Sequence, residues 1–314
     1  MSTITQAAKP IAVGKNKNRK LRVGAQPRTI VAFLLPFFVP FVFFYVIPVI
    51  YAVTQSFLKV ERGAGQYGTS STVFAGFDQY ARVFSNEEFW ASIGRVGLYG
   101  IIQVPVMLAL SLLIALLLDS ALVKGKAFFR IVAFLPYAIP GVIAAIMWSF
   151  LYHPQISPIV DLLSRIGIHV DFLSRGSIIF SIANISTWLW TGYNMLIIFS
   201  ALQAVPQEVY EAAKIDGAGN FAVAWRIKVP MILPSIILTT VFSIIGTLQL
   251  YGEPTVLAQI APSIGTTFTP NMLAYTIASG NNYQQAGAMS VVIALATFIL
   301  SFGFMRLTSR KASL

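Results

Sequence analysis

Long apolar runs alternate with short polar segments along the chain, at residues 30–57, 96–118, 131–151, 177–202, 231–252 and 287–305, and none of the six contains a Lys, Arg, Asp, Glu or His. A bilayer hydrocarbon core about 30 Å thick takes about 20 apolar residues in a helix. Each run therefore predicts a membrane-crossing helix, and the chain reads as all-α and integral to a membrane, a six-helix bundle. The first run is too long for the apolar part of a secretory leader and lacks a small-residue cleavage site after it. Residues 1–29 accordingly read as a retained basic tail, 30–307 as the membrane domain and 308–314 as a short C-terminal tail. Prolines punctuate the first three runs: Pro36, Pro40 and Pro48, then Pro105, then Pro136 and Pro140. Each removes a backbone hydrogen bond and bends its helix, which suits either a bundle that encloses a cavity or plain irregular packing.

Composition sharpens this picture. Of 314 residues, 56% are hydrophobic and 11% charged, against about 25% charged in an ordinary soluble domain. A formal charge of +11 would suit nucleic acid only if the basic residues shared a face that meets phosphates. They are instead sorted by loop. Seven lie in residues 1–29, followed by Lys124, Lys126 and Arg130, by Lys214, Arg226 and Lys228, and by Arg306, Arg310 and Lys311, sixteen of the 22 in all. The remaining six, Lys59, Arg62, Arg82, Arg95, Arg165 and Arg175, fall on the other side. Because Lys and Arg of short loops stay cytoplasmic, both termini are expected in the cytoplasm. The basic tail reads as an anchor at anionic lipid headgroups, and no nucleic-acid partner is expected.

Much chemistry is excluded. With no cysteine, thiol catalysis, disulfides and Cys-ligated metals are absent; His153 and His169 read as loop residues, and no metal site is expected. Carriers driven by ion gradients usually place ionisable groups at membrane depth, and the six runs have none. The nearest approach to a phosphate-binding loop, "KGKAFF" at 124–129, lacks the upstream glycine and the terminal hydroxyl. An intramembrane hydrolase would need a facing nucleophile and base or paired carboxylates. The chain thus reads as no enzyme and as holding no cofactor, and any active transport by it must be energised from outside.

One polar stretch stands out between two apolar runs: "EAAKIDGAGNFAVAWRIKVP", Glu211–Pro230. From Pro206 the sequence is helix-prone, with Glu208 and Glu211 near its start where negative charge suits the helix dipole. Ala212 and Ala213 keep that helix thin. "DGAG" at 216–219 permits a sharp turn, since glycine accepts positive φ. A second helix, "FAVAWRIK", then leads to Pro230. The expected product is a helical elbow on the cytoplasmic side, either a protrusion shaped for another protein's groove or an amphipathic linker lying in the interface.

The spacing Glu211-Ala212-Ala213, three residues, Gly217, nine residues, Ile227, one residue, Val229-Pro230 resembles the EAA loop of binding-protein-dependent ABC transporter permeases, with Val229 where Leu is usual. "LLPFFVPFVFFYVIPVIYAVTQSF", "FAGFDQYARVFSNEEFW", "FFRIVAFLPYAIPGVIAAIMWSFLY" and "AVPQEVYEAAKIDGAG" extend the likeness to the sugar-importer, MalF-like branch. The resemblance implies a loop, 206–230, whose coupling helix docks on an ATP-hydrolysing subunit dimer that binds ATP and magnesium, through Glu211, Ala212, Ala213, Asp216, Gly217, Ile227 and Pro230. It also implies a second, MalG-like permease chain, an extracytoplasmic solute-binding protein, and the inner membrane of a prokaryote. Only about 35 residues separate the first two runs, too few for a large extra domain, so the binding protein would dock on short loops.

Sugars are held by aromatic faces and a few placed polar groups. "NISTWLWTGYN" supplies Asn184, Trp188, Trp190, Tyr193 and Asn194, with Trp190, Tyr193 and Asn194 able to share one helical face and Asn184 and Trp188 another; "GTLQLYGEP" supplies Thr247, Gln249, Tyr251 and Glu253. These nine form the expected solute pathway, although tryptophan and tyrosine are also enriched at membrane interfaces. In the resemblance Tyr193 keeps the family's tyrosine, while Thr247 and Leu250 stand where it has asparagines, which argues against maltose itself. The expectation is a permease subunit of an ATP-driven importer of sugars or oligosaccharides, with a polyol or glycerol phosphoester as the alternative solute and an ATP-independent carrier as the alternative class.

Overall fold

A computed structural model describes residues 27–62, 70–120 and 123–312; the basic tail to residue 26 and residues 313–314 lie outside the described residues. The chain divides into two compact units, residues 1–49 and 50–314. In the first, helix α1 (Pro27–Phe41) contains Pro36 and Pro40 and passes into a π turn at Val42–Val46, a local adjustment of the kind that accommodates proline in an apolar helix. Helix α2 (Ile47–Ser56) follows.

The second unit begins within α2, and after it comes a short hairpin that the wholly helical expectation did not include. Strands β1 (Leu58–Arg62) and β2 (Ser70–Phe74) pair antiparallel, Leu58 opposite Phe74 and Val60 opposite Thr72. The β-branched residues Val60, Thr72 and Val73 favour this pleat, and the hairpin lies between apolar runs, where no helical period acts. Helix α3 (Asp78–Phe84) leads to Asn86, whose side chain accepts the Phe89 N–H at 3.0 Å and caps the 33-residue α4 (Glu87–Asp119). Glu87 and Glu88 in its first turn complement the helix dipole.

The third apolar run is also corrected. It forms two helices, α5 (Lys126–Phe134) and α6 (Gly141–Tyr152), joined through a 3-10 turn at Leu135–Ala138 and bent by 94°. Pro136 cannot donate to the helical ladder, and Pro140 holds the preceding Ile139 extended at φ −85°, ψ 128°. Ser157 caps the short α7 (Pro158–Arg165), and α8 (Ile178–Gln203) follows. The elbow comprises α9 (Gln207–Ile215), α10 (Asn220–Val223), a π turn at Ala224–Lys228 and α11 (Val229–Met231). Helices α12 (Leu233–Leu248), α13 (Gly252–Leu257), α14 (Pro270–Ser279) and α15 (Tyr283–Ala312) complete the chain.

Among the described residues, four stretches are long and apolar enough to cross a membrane: Ile30–Ser56, Glu87–Asp119, Leu233–Leu257 and Tyr283–Thr308; the bent α5–α6 pair makes a fifth if it is one span. Helix α8 has the length, at 26 residues, but Asn184, Thr187, Thr191 and Asn194 dilute its apolarity. Its position explains this. Ile178, Ile182, Ile185, Leu189, Met195, Ile198 and Leu202 are all buried, so α8 meets protein where an outer helix would meet lipid. It lies along α4, where the Ser111 hydroxyl donates to the Thr191 carbonyl at 2.9 Å. On its other flank, a Cβ at Gly192 would stand 2.0 Å from the Ala133 carbonyl oxygen, so glycine is what lets α5 approach this closely.

Candidate functional site

Helices α4, α8 and α12 with the start of α13 enclose a cavity of about 310 Å³. From α4 come Tyr99, Gln103 and Met107; from α8 Ser186, Trp190, Tyr193 and Asn194; from α12 onward Ser243, Thr247, Gln249, Tyr251 and Glu253. Gly100 sets the width. A Cβ there would reach 2.6 Å from Thr247 Cγ2, so α4 and α12 are as close as glycine permits. Aromatic rings form one wall: Tyr193 stacks on Tyr137 with centroids 4.7 Å apart, and Trp190 stands edge-on to both at 5.3 and 5.9 Å.

The polar groups are arranged unevenly. The Asn194 amide donates to the Trp190 carbonyl at 3.0 Å and Gln103 donates to Met107 Sδ at 3.2 Å, which fixes both side chains against the wall. The hydroxyl of Thr247 is buried and makes no hydrogen bond within the protein. The buried Ser186 hydroxyl lies between the Tyr99 hydroxyl and the Glu253 carboxylate, a hydrogen-bonding neighbour of each. An unpaired buried hydroxyl costs about 1–3 kcal/mol, so a cavity that keeps one is suited to a guest, water or solute, that satisfies it. Glu253 is the one charged group among the described lining residues and forms no ion pair with a described residue.

Seven of the nine residues expected on a solute pathway thus meet at one cavity: Trp190, Tyr193, Asn194, Thr247, Gln249, Tyr251 and Glu253. Two do not. The Asn184 amide donates to Tyr152 Oη at 2.8 Å and Trp188 packs edge-on to Trp148 at 5.9 Å, because both project from α8 toward α6. Sequence reasoning missed Tyr99, Gln103, Met107, Ser186, Phe242 and Ser243. The signal was present in Tyr99, Gln103 and Met107, a stripe at four-residue spacing in an otherwise apolar run.

A second arrangement lies where α4, α8 and α12 meet the elbow. Helix α9 ends in a Schellman turn: the Gly217 N–H donates to the Lys214 carbonyl at 3.0 Å, the Ala218 N–H to the Ala213 carbonyl at 3.0 Å, and Gly217 sits at φ +81°. Ala213 and Val223 are buried, whereas Glu211, Ala212, Asp216 and Pro230 are exposed and Ile227 is half-buried in the π turn. Gln207 donates to Glu211 Oε1 at 2.8 Å. The elbow carries exposed apolar side chains at Ile215, Phe221 and Trp225. Its second arm runs helical without a break from Asn220 to Met231, covering the helix expected over "FAVAWRIK", with a π-helical stretch at Ala224–Lys228.

The elbow is tied to the bundle by charge. Lys228 pairs with Asp119, both largely buried, at the C-terminal end of α4. Gln203, the last residue of α8, donates to the other Asp119 oxygen at 2.7 Å, and the Lys228 ammonium lies 4.6 Å from the centre of the Tyr210 ring. One carboxylate thereby joins α4, α8 and the elbow.

A helical bundle with membrane-length spans, an internal cavity lined by aromatic and amide groups, and an exposed elbow bonded to the cavity helices defines a polytopic membrane transport component. The family described as "Binding-protein-dependent transport system inner membrane component" matches residues 107–313, and the chain belongs to it. Among relatives, the arabinooligosaccharides transport system permease protein AraP of Halalkalibacterium halodurans is 27% identical, with 95% of this chain and 94% of that protein covered. The trehalose/maltose transport system permease protein MalF of Thermococcus litoralis is 31% identical over 74% of this chain and 77% of its own. A chain in the crystal structure of a bacterial ABC transporter involved in the import of the acidic polysaccharide alginate shares the fold, with a TM-score of 0.77, 22% identity, and 90% of this chain and 96% of that one covered.

Proposed function

We propose that this chain is one half of the translocation pore of an ATP-driven importer of sugars or oligosaccharides. The observation that carries the reading is the joining of cavity and elbow: α4, α8 and α12 line the cavity, and α4 and α8 end at the Asp119–Lys228 pair that holds the elbow. In this reading both termini are cytoplasmic, α8 is the sixth spanning helix, and the broken α5–α6 pair counts as one. Twenty-six residues at about 1.5 Å each give about 39 Å, enough for the hydrocarbon core. The elbow, residues 206–230, docks on an ATPase subunit dimer that carries ATP and magnesium. Glu211, Ala212 and Asp216 present its polar and small surface, and Ile215 and Phe221 offer the apolar contacts.

The sugar assignment follows from the cavity lining and from the carbohydrates named for AraP and MalF. A second permease chain completes the pore, and a solute-binding protein delivers cargo to the end opposite the elbow. Rigid-body closure of the ATPase pair would shift the cavity between two states. Proteoliposomes containing the whole importer test the reading. Labelled sugar accumulates inside only when ATP is supplied on the elbow side and the binding protein on the other; accumulation or equilibration without ATP would instead identify an independent carrier.

A further inference from the structure

We infer that Glu253 makes this importer selective by the sign of charge, admitting neutral and amino-bearing glycans and turning away acidic ones. The inference rests on the reading of the cavity as the solute pathway. Three observations carry it. The carboxylate lines the cavity with no Lys or Arg among the described lining residues, and no described residue forms an ion pair with it. It is only partly exposed, so water screens it less than it would a surface acid. The polar groups around it, Ser186, Thr247, Tyr99 and Gln249, are uncharged, and the buried Thr247 hydroxyl lacks a partner.

Such a site can accept hydrogen bonds from sugar hydroxyls at Glu253 and exchange hydrogen bonds with them at Ser186 and Thr247. An ammonium in place of a hydroxyl adds an opposite charge and strengthens that contact. A uronate, phosphate or sulfate group instead brings a second negative charge into a poorly screened space, with no cation to offset it. A polar guest is therefore welcome, and an anionic one is repelled. This charge discrimination also disfavours the glycerol phosphoester alternative for this chain.

The test uses β-1,4-linked trimers of glucose, glucosamine and glucuronate, which share a backbone and differ in charge. Binding of each labelled trimer to the purified importer complex is measured by equilibrium dialysis without the binding protein, for the wild type and for Glu253→Gln and Glu253→Lys. The wild type is expected to bind the glucuronate trimer at least about tenfold more weakly than the glucosamine trimer. Glu253→Gln should bring the three within about threefold, and Glu253→Lys should reverse the order. Reading a ratio cancels any general loss of folded protein. Equal binding of the trimers by the wild type overturns the inference, as it would if a basic residue of the second permease chain neutralised Glu253. Preference that persists unchanged in Glu253→Gln also overturns it. Failure of all three trimers to bind removes the cavity as a glycan site, while ATP-dependent accumulation in proteoliposomes would still uphold the importer; loss of that accumulation is what defeats the broader reading.

Discussion

Two glycines show how single positions govern both ends of this molecule. Gly217 adopts φ +81° with no heavy atom within 4 Å of where a Cβ would stand, so its requirement is conformational and not steric. Gly217→Ala should destabilise the elbow by about 1–2 kcal/mol, and Gly217→Asn should recover part of this, since asparagine tolerates the left-handed region better. Hydrogen exchange of the Gly217 and Ala218 amides would register both changes. Gly192 is the opposite case, with ordinary backbone but no room. Gly192→Ala must displace the Ala133 backbone and should lower thermal stability in detergent, whereas Gly97→Ala, with nothing within 4 Å, should leave it unchanged or raise it through helix propensity. The turn at Gly217 was legible because its neighbours spell a helix end. The close approach at Gly192 was not, because nothing local says which helix passes beside it.

Elements were legible in proportion to how far their own sequence decides them. Runs such as 96–118 and 287–305 fall inside long helices α4 and α15, since an apolar run without breakers has little alternative at membrane depth. The third run contains its own breakers, yet reading Pro136 and Pro140 as a kink understated a 94° bend that depends on Ile139 becoming extended between them. The hairpin went unseen because it is short and stabilised by cross-strand pairs, which have no helical period to betray them. On α8 the two faces expected from helical spacing go to different places, Trp190, Tyr193 and Asn194 to the cavity and Asn184 and Trp188 to α6, and which neighbour each face meets was not legible. The contribution of α4 needed the packing itself.

The junction of α4, α8 and the elbow makes a sharper prediction. Lys228→Gln leaves Asp119 buried without its counter-charge, which should cost about 3–5 kcal/mol. The double change Asp119→Asn/Lys228→Gln removes both charges and should restore much of that loss, and denaturant titration of the three proteins in detergent measures the difference. If the single and double variants lose equal stability, the pair is not the bond that its burial suggests.

Taken together, the chain places a cavity with an unpaired hydroxyl and one carboxylate on helices that also meet an exposed elbow. Neither part has an evident purpose alone. The cavity holds no group that could supply energy, and the elbow presents Ile215 and Phe221, both largely exposed, on a segment fixed to the bundle by Lys228. In the function proposed above, the two joined would form a route by which an event on another protein alters the surroundings of a bound solute. Affinity purification of the tagged chain in mild detergent, wild type beside a Glu211→Ala/Gly217→Pro variant, with ATPase activity measured on each, tests this most directly. The wild type is expected to bring down a second permease and an ATPase whose hydrolysis responds to solute, and the variant to lose the ATPase or its response. A wild-type chain that purifies without any ATPase, or a variant with full solute-responsive hydrolysis, would contradict it.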